Sequence, residues 1–149
     1  METKKQEVTH ITAKLTSGTA VQLSNGRHEW KADEPPEVGG TDTGPNPYEL
    51  LLGSLAACTC VTISLYCRHK KLPLHSISTT YDYLRVHADD CKDCDMPDKG
   101  HMEVITSNVH IEGDFDEAQR KRLAQIVERC PVHKTLAHGI KFRDNATFA

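Results

Sequence analysis

Alternation of apolar and polar residues marks the first third of the chain and predicts short β-strands. The period of two is clearest between Val8 and Leu15, where Ile11, Ala13 and Leu15 share one face. The dipeptide Asn25-Gly26 is a strong signal for a tight hairpin between two such segments. The predicted strands of this region are Val8–Leu15, Ala20–Leu23 and Arg27–Ala32.

A long apolar segment in the middle of the chain predicts a single helix. The segment before it, from Asp33 to Pro47, contains four prolines and three glycines and is expected to be a loop or active-site rim. Asn46 suits the N-cap, Pro47 the first helical position, and Glu49 the positive end of the helix dipole. The helix is expected to extend to about His69. Because it is apolar or small nearly all round, yet interrupted by polar residues, we expect a core helix covered on several sides and no membrane span.

The second half of the chain shows the patterns of two strands followed by helices. The predicted elements are strands at Ile77–Val86 and Met102–Ile111, a helix from Asp114 or Asp116 to Arg129, a short helix after Pro131, and a last strand near Ile140–Phe142. This order predicts an α+β fold in a single domain covering residues 1–149. We expect a strand-rich part (1–45), a central helix (about 47–69) and a C-terminal part (74–149).

Charge and cysteine content narrow the class of protein. The net charge is only −3, and the 18 basic residues are scattered, so no nucleic-acid partner is expected. The first ten residues are not followed by an apolar segment, which argues against a secretory signal. Six cysteines without such a signal favour reduced thiols in the cytoplasm, where cysteines more often serve redox chemistry or metal binding than structural disulfides.

Two cysteines lie in contrasting local chemistry. Cys58 belongs to the apolar helix, whereas Cys130 directly precedes Pro131. As N-cap of a helix that begins with proline, Cys130 would face unpaired backbone N–H groups, which favour a nucleophilic thiolate. The alternative is a cysteine that only caps the junction between two helices. Cys60 and Cys67 point away from the Cys58 side of the helix and are interpreted as core residues.

A polar segment between the two long strands carries a second group of candidates. His87, Cys91, Cys94 and His101 have a spacing within the range of tetrahedral zinc sites. The five aspartates among them equally describe a solvated acidic loop with two free thiols. His133, close to Cys130, either polarises a thiol or a peroxide or is simply exposed at the start of a helix.

Two segments resemble the cysteine motifs of the OsmC/Ohr family of osmotically inducible and organic hydroperoxide resistance proteins. The first is GPNPYELLLGSLAAC, from Gly44 to Cys58, and the second is CPVHKTL, from Cys130 to Leu136. In that family an Asn-Pro-Glu segment opens the long helix, and the first cysteine follows the asparagine by twelve positions, as Cys58 follows Asn46 here. The second family cysteine lies in a Cys-Pro segment near the C-terminus.

The resemblance implies antiparallel sheets packed around a long central helix in an intertwined homodimer with its sites at the subunit interface. It implies a peroxidase that needs no cofactor. Cys58 would attack an organic hydroperoxide and become a sulfenic acid, and Cys130 would resolve it as a disulfide that a dithiol reductant opens. The apolar helix suits fatty or aromatic hydroperoxides.

The chain departs from the family pattern beside the first cysteine motif. Tyr48 stands where the family has its catalytic glutamate, and Glu49, one position later, is the carboxylate assigned to the site here. The family also uses an upstream arginine, and Arg27 is the only arginine before Cys58. Without a matched arginine–glutamate pair, burial is expected to keep the pKa of Cys58 high.

Three hypotheses for function follow. The first is an enzyme, a thiol-dependent hydroperoxide reductase acting through Cys58 and Cys130. The second is a non-catalytic protein on the same scaffold that binds a small ligand or zinc. The third is a structural dimer whose cysteines only pack.

Overall fold

The computed structural model describes residues 8–87 and 100–149 of the chain. The elements, in order, are β1 (Thr12–Lys14), β2 (Val21–Ser24), β3 (Glu29–Ala32), a 3₁₀ turn (Pro36–Val38), α1 (Pro47–Lys70), β4 (Leu74–His87), β5 (His101–Gly113), α2 (Glu117–Val127) and α3 (Pro131–His138). This is an α+β fold with antiparallel sheets and one long helix. Contacts within the chain are concentrated in two units, the first ending at Leu51 and the second beginning at Leu52.

The first unit is built on a three-stranded antiparallel sheet in the order β1-β2-β3. The hairpin between β2 and β3 confirms the prediction from Asn25-Gly26: the Asn25 side-chain oxygen accepts hydrogen bonds from the N–H groups of Arg27 (2.9 Å) and His28 (2.7 Å). Gly26 has a φ of 91°, which residues with a Cβ rarely adopt. Strand β1 is shorter than predicted, because the apolar residues beside it, such as Leu15, are exposed and gain little from strand pairing.

A buried carboxylate organises the loop that precedes α1. Asp33 is 2% exposed, and its oxygens accept hydrogen bonds from the hydroxyls of Thr19 (2.6 Å), Thr41 (2.6 Å) and Thr43 (2.7 Å). The backbone N–H groups of Thr43 (3.1 Å) and Glu34 (2.8 Å) add two more. These bonds, that of Thr19 first, hold the pKa of Asp33 far below the usual range of an aspartate. The proline- and glycine-rich segment is therefore an ordered loop tied to one side chain.

The second unit consists of a long antiparallel hairpin, β4 and β5, together with α1 from Leu52 onward and helices α2 and α3. One stripe of α1 is buried, with residues spaced by four positions: Leu55, Thr59, Ile63 and Cys67. Ile63 and Cys67 join Phe115, Leu123 and Ile126 in the core. Cys67 is therefore a core residue, as expected, whereas Cys60 is only half-buried.

The rest of α1 is less covered than its composition indicated. Val61 is 55% exposed and Leu65 is 53% exposed, although both are large and apolar. The expectation of a helix covered on several sides is therefore wrong for the single chain. By length and composition α1 could cross a bilayer, but the core helix of a soluble protein meets the same criterion, so that property does not distinguish the two.

Local signals decide where the C-terminal helices begin. Asp116, and not Asp114, caps α2: its side chain accepts from the Gln119 N–H (2.8 Å), and the Gln119 side chain accepts from the Asp116 N–H (2.9 Å). Pro131 is the first residue of α3, as predicted. The strand predicted at Ile140–Phe142 does not form: this segment pairs with neither sheet and is exposed, so its backbone lacks the partner that a strand requires.

Candidate active site at the Cys58–Cys130 pair

Helices α1 and α3 bring two thiols together. Cys58 lies in the middle of α1, and Cys130 is the residue before Pro131 at the start of α3. The two thiols lie close enough for each to shift the pKa of the other. Cys130 is fully buried and Cys58 is half-buried, and all four cysteines in the described part of the chain are free thiols. The sequence alone left open whether the fold would bring this pair together.

The surroundings of Cys58 favour its thiolate. Burial is the largest single influence and raises the pKa of Cys58. Hydrogen bonds from the Cys130 thiol, the Val132 backbone N–H and the Thr62 hydroxyl together outweigh burial, so the pKa is lowered overall. The expectation that burial would keep this pKa high is therefore wrong, because the sequence did not reveal donors from α3.

The surroundings of Cys130 favour its neutral thiol, because they raise its pKa overall. Burial raises its pKa first, and the hydrogen bond and negative charge of Cys58 raise it further, against the N–H groups of His133 and Val132. The expectation of a Cys130 thiolate at the helix N-terminus is therefore wrong. The first backbone N–H groups of α3 do lower thiol pKa values, but the Val132 N–H also donates to Cys58. The full burial of Cys130 raises its pKa more than these hydrogen bonds lower it.

A pocket of about 270 Å³ is lined by residues one helical turn along the chain from each cysteine, although neither cysteine lines it. Its lining includes Leu55 on α1, three residues before Cys58, and His133 on α3, three residues after Cys130. The other lining residues are Tyr81, Glu103, Ile105, Ser107, Leu136 and Ala137. Most of the wall is apolar, which suits the organic part of a small ligand.

Comparison with protein families shows to which family the chain belongs. The sequence model of OsmC-like proteins matches residues 40–143, a span that contains both Cys58 and Cys130. The chain belongs to the OsmC family. A comparison with curated proteins finds no match.

Solved structures of OsmC-family proteins share this fold at low sequence identity. An OsmC-like protein from Mycoplasma pneumoniae is 22% identical, with a TM-score of 0.68 over 89% of each chain. An organic hydroperoxide resistance protein OsmC from Legionella pneumophila is 23% identical, with a TM-score of 0.60 over 88% of this chain and 90% of that one. The organic hydroperoxide resistance protein OhrB of Bacillus subtilis is 18% identical, with a TM-score of 0.56 over 86% and 89%. At these identities the likeness shows the fold alone.

The motif that opens the long helix of this OsmC-family chain is used for capping. The Glu49 carboxylate accepts a hydrogen bond from the Asn46 N–H (2.7 Å), and the Asn46 side chain accepts from the Glu49 N–H (2.8 Å). The predicted helix start is therefore confirmed. Tyr48, in the family's glutamate position, is 51% exposed. The catalytic role assigned to Glu49 stays a prediction, and the Arg27 N–H belongs to the β2–β3 turn.

The candidate zinc ligands fall largely outside what the structure describes. Cys91 and Cys94 lie outside the described residues, whereas the backbones of His87 and His101 form the last pair of the β4–β5 ladder. Within residues 8–87 and 100–149, no group of three or more histidine, cysteine, aspartate or glutamate side chains is placed to hold a metal ion. The zinc hypothesis for this segment stays a prediction.

Proposed function

We propose that this OsmC-family chain is a cysteine-based peroxidase that reduces organic hydroperoxides without a cofactor. The observation that carries the proposal is the contact between Cys58 and Cys130, with the pKa of Cys58 lowered and that of Cys130 raised. The thiolate is the nucleophilic form of cysteine, so this pairing favours Cys58 as the attacking residue. Organic hydroperoxide resistance proteins among the structural relatives support a peroxide-related role.

The reaction begins at the peroxide bond. The Cys58 thiolate attacks one peroxide oxygen, the O–O bond breaks, and the other oxygen leaves as an alkoxide that takes up a proton to become the alcohol. Cys58 is then a sulfenic acid, oxidised by two electrons. Cys130 attacks the Cys58 sulfur, forming a disulfide while the sulfenic oxygen leaves as water. A dithiol reductant returns both cysteines to thiols and is itself oxidised to a disulfide.

The pocket supports an organic substrate over hydrogen peroxide. Its apolar wall includes Leu55, Ile105 and Leu136, which can bury the hydrocarbon part of a hydroperoxide beside the cysteine pair. Burial of an apolar tail contributes binding free energy that hydrogen peroxide lacks. We place the reaction in the cytoplasm, where dithiol reductants keep such cysteines reduced.

We also infer that two chains form a homodimer. Val61 and Leu65 on α1 are large apolar residues that the single chain leaves more than half exposed. Apolar side chains on one helix face are a common signature of a protein–protein interface. A second copy of the chain is the partner that the family resemblance supports, and the oligomeric state of the reduced protein in solution tests it.

Variants of single cysteines test the peroxidase. We expect Cys58→Ser to reduce consumption of cumene hydroperoxide, with dithiothreitol as reductant, to the uncatalysed rate. In a separate experiment without dithiothreitol, Cys130→Ser should react with one equivalent of peroxide and stop, leaving a Cys58 sulfenic acid that dimedone traps and mass spectrometry locates. Cys60→Ser is the matched control, since it removes a half-buried thiol from the same helix and should leave turnover unchanged.

The same assay tests the carboxylate. Glu49→Gln keeps an oxygen that can accept the Asn46 N–H bond and removes the charge, so a loss of turnover with helix content retained would support a catalytic role. Turnover by Cys58→Ser at the parental rate would refute the peroxidase. If peroxide leaves both Cys58 and Cys130 of the parent protein reduced, the pocket is better explained as the site of a small ligand that does not react.

A further inference from the structure

A threonine hydroxyl contacts the sulfur of Cys58 from the same helix. Thr62 lies four residues after Cys58 on α1, and its Oγ1 is 3.9 Å from the Cys58 Sγ. Positions i and i+4 are neighbours on a helix surface, so this contact follows from the spacing. Both residues are half-buried, which limits competition from water for the hydroxyl.

This contact differs from the usual use of a threonine hydroxyl in a helix. A helical threonine commonly donates to the backbone carbonyl four residues earlier. Thr135 on α3 does so, with its Oγ1 at 2.9 Å from the Pro131 carbonyl oxygen. For Thr62 the partner is the side chain of Cys58 and not its carbonyl. A hydroxyl in this place is a donor for a thiolate, which accepts hydrogen bonds and cannot donate them.

The remaining donors to Cys58 come from the other side of the site. The Val132 N–H and the Cys130 thiol belong to α3 and the residue before it, and Cys130 is the titratable group that contacts Cys58. Thr62 is therefore the donor that α1 itself supplies. Backbone N–H groups are unaffected by most substitutions, and Cys130 has a role of its own, so Thr62 offers the cleanest test of how the thiolate is stabilised.

We propose that Thr62 is a catalytic residue whose hydroxyl donates a hydrogen bond to the Cys58 thiolate and keeps that sulfur in its nucleophilic form. The hydroxyl retains its proton, because its role is to stabilise negative charge and not to transfer a proton. The interaction is strongest with the thiolate and weaker once the sulfur has lost its charge by bonding to oxygen. The catalytic consequence rests on the proposed peroxidase function, whereas the stabilisation of the thiolate does not.

Three variants test the role of Thr62. Thr62→Val replaces the hydroxyl with a methyl group of similar size, Thr62→Ser restores a hydroxyl, and Thr80→Val changes an exposed threonine on β4 as a control. Alkylation of Cys58 by iodoacetamide is followed from pH 6 to pH 10 and quantified by mass spectrometry of the Cys58 peptide. We expect Thr62→Val to slow alkylation at neutral pH about fivefold, the factor for one hydrogen bond of ordinary net strength.

The pH profile separates stabilisation of the thiolate from a change in packing. If Thr62 acts as proposed, the alkylation profile of Thr62→Val moves to higher pH. Its rate meets the parental rate at a pH where Cys58 is fully ionised in both proteins. Thr62→Ser should follow the parent, and Thr80→Val should not shift. Identical profiles for Thr62→Val and the parent would overturn the proposal. So would a loss by the same factor at every pH, or a loss that Thr62→Ser fails to restore.

The experiment also separates the two proposals. Alkylation reports on the Cys58 thiolate whether or not the protein reduces peroxides. A shifted alkylation profile in a protein without peroxidase turnover would refute the proposed function and retain the role of Thr62 toward the thiolate. Normal peroxidase turnover with an unshifted alkylation profile would support the proposed function and refute the role of Thr62.

Discussion

The hydrogen bond between Thr59 and Tyr81 offers a quantitative test of the packing next to Cys58. Thr59 is 1% exposed, and its hydroxyl lies 2.6 Å from the hydroxyl of Tyr81 on β4. Tyr81→Phe removes this partner and leaves a buried hydroxyl that water cannot easily reach. An unsatisfied buried group of this kind costs about 1–3 kcal/mol of stability. Thr59 can turn its hydroxyl toward the backbone carbonyl of Leu55, so we expect the lower half of that range.

Substitution of the other partner, Thr59, should lower the stability by less than Tyr81→Phe does. Thr59→Val leaves the hydroxyl of Tyr81 without its partner, but Tyr81 is half-buried and lines the open pocket, so its hydroxyl can bind water instead. The added methyl group is buried, which offsets part of the lost bond at about 25 cal/mol per Å² of apolar surface. In the double variant no buried hydroxyl is left unpaired. The double variant should therefore be more stable than Tyr81→Phe alone.

Urea unfolding of the reduced protein measures these differences. With a slope of about 2 kcal/mol per molar urea, in the middle of the typical range, a cost of about 1–2 kcal/mol for Tyr81→Phe moves the midpoint by roughly 0.5–1 M. All variants must be compared at one protein concentration, because the midpoint of any protein that dimerises depends on concentration. The reasoning would be refuted if Tyr81→Phe unfolded at the parental midpoint. It would also be refuted if the costs of the two single substitutions simply added in the double variant.

Two further predictions concern the loop before α1 and the exposed face of α1. Asp33→Asn should lower the melting temperature, whereas Asp42→Asn, at an exposed position, should not. Because the folded pKa of Asp33 is depressed, its stabilisation is fully present above the unfolded aspartate pKa of about 3.9 and is lost only as pH falls toward the folded pKa. The gap between Asp33→Asn and the parent should therefore be constant near neutral pH and narrow in strong acid. Leu65→Glu should give monomers in sedimentation experiments if α1 forms the dimer interface, with exposed Glu117→Gln as control; monomeric parent protein would contradict the inference.

Elements specified by neighbouring residues could be predicted from the sequence. Asn25-Gly26 determines a hairpin, and Pro47 and Pro131 mark the first residues of two helices, because each effect acts within one turn of the chain. The prediction of a strand at Ile140–Phe142 was wrong because strand formation depends on residues far away in the chain. An apolar pattern does not provide the neighbouring strand that must pair with it.

Long-range arrangements were harder to anticipate. The three hydroxyls that bind Asp33 come from both sides of it, at Thr19, Thr41 and Thr43, and no periodicity connects them. A buried aspartate among threonines leaves no distinctive sequence signal, so a loop at residues 33–47 was predictable but the side chain that organises it was not.

The candidate site was also predictable only in part. Resemblance to the OsmC family selected Cys58 and Cys130, and the structure places them in contact. The direction of each pKa shift could not be deduced, since it depends on how deeply each thiol is buried and on which N–H groups it faces. Helix geometry alone suggested a thiolate at Cys130, yet the Val132 N–H also reaches Cys58.

The unequal burial of the two thiols has a consequence for the reductive half of the proposed peroxidase cycle. Once a disulfide joins them, an incoming thiol meets the half-buried Cys58 sulfur, while the Cys130 sulfur is fully enclosed. Attack at Cys58 expels Cys130, and a thiol with a raised pKa is a poor leaving group. In the proposed cycle, regeneration would then be the slow half, and the species expected to accumulate is the Cys58–Cys130 disulfide, which peptide mass spectrometry can locate. The protein would rest mainly in its oxidised form during sustained exposure to peroxide.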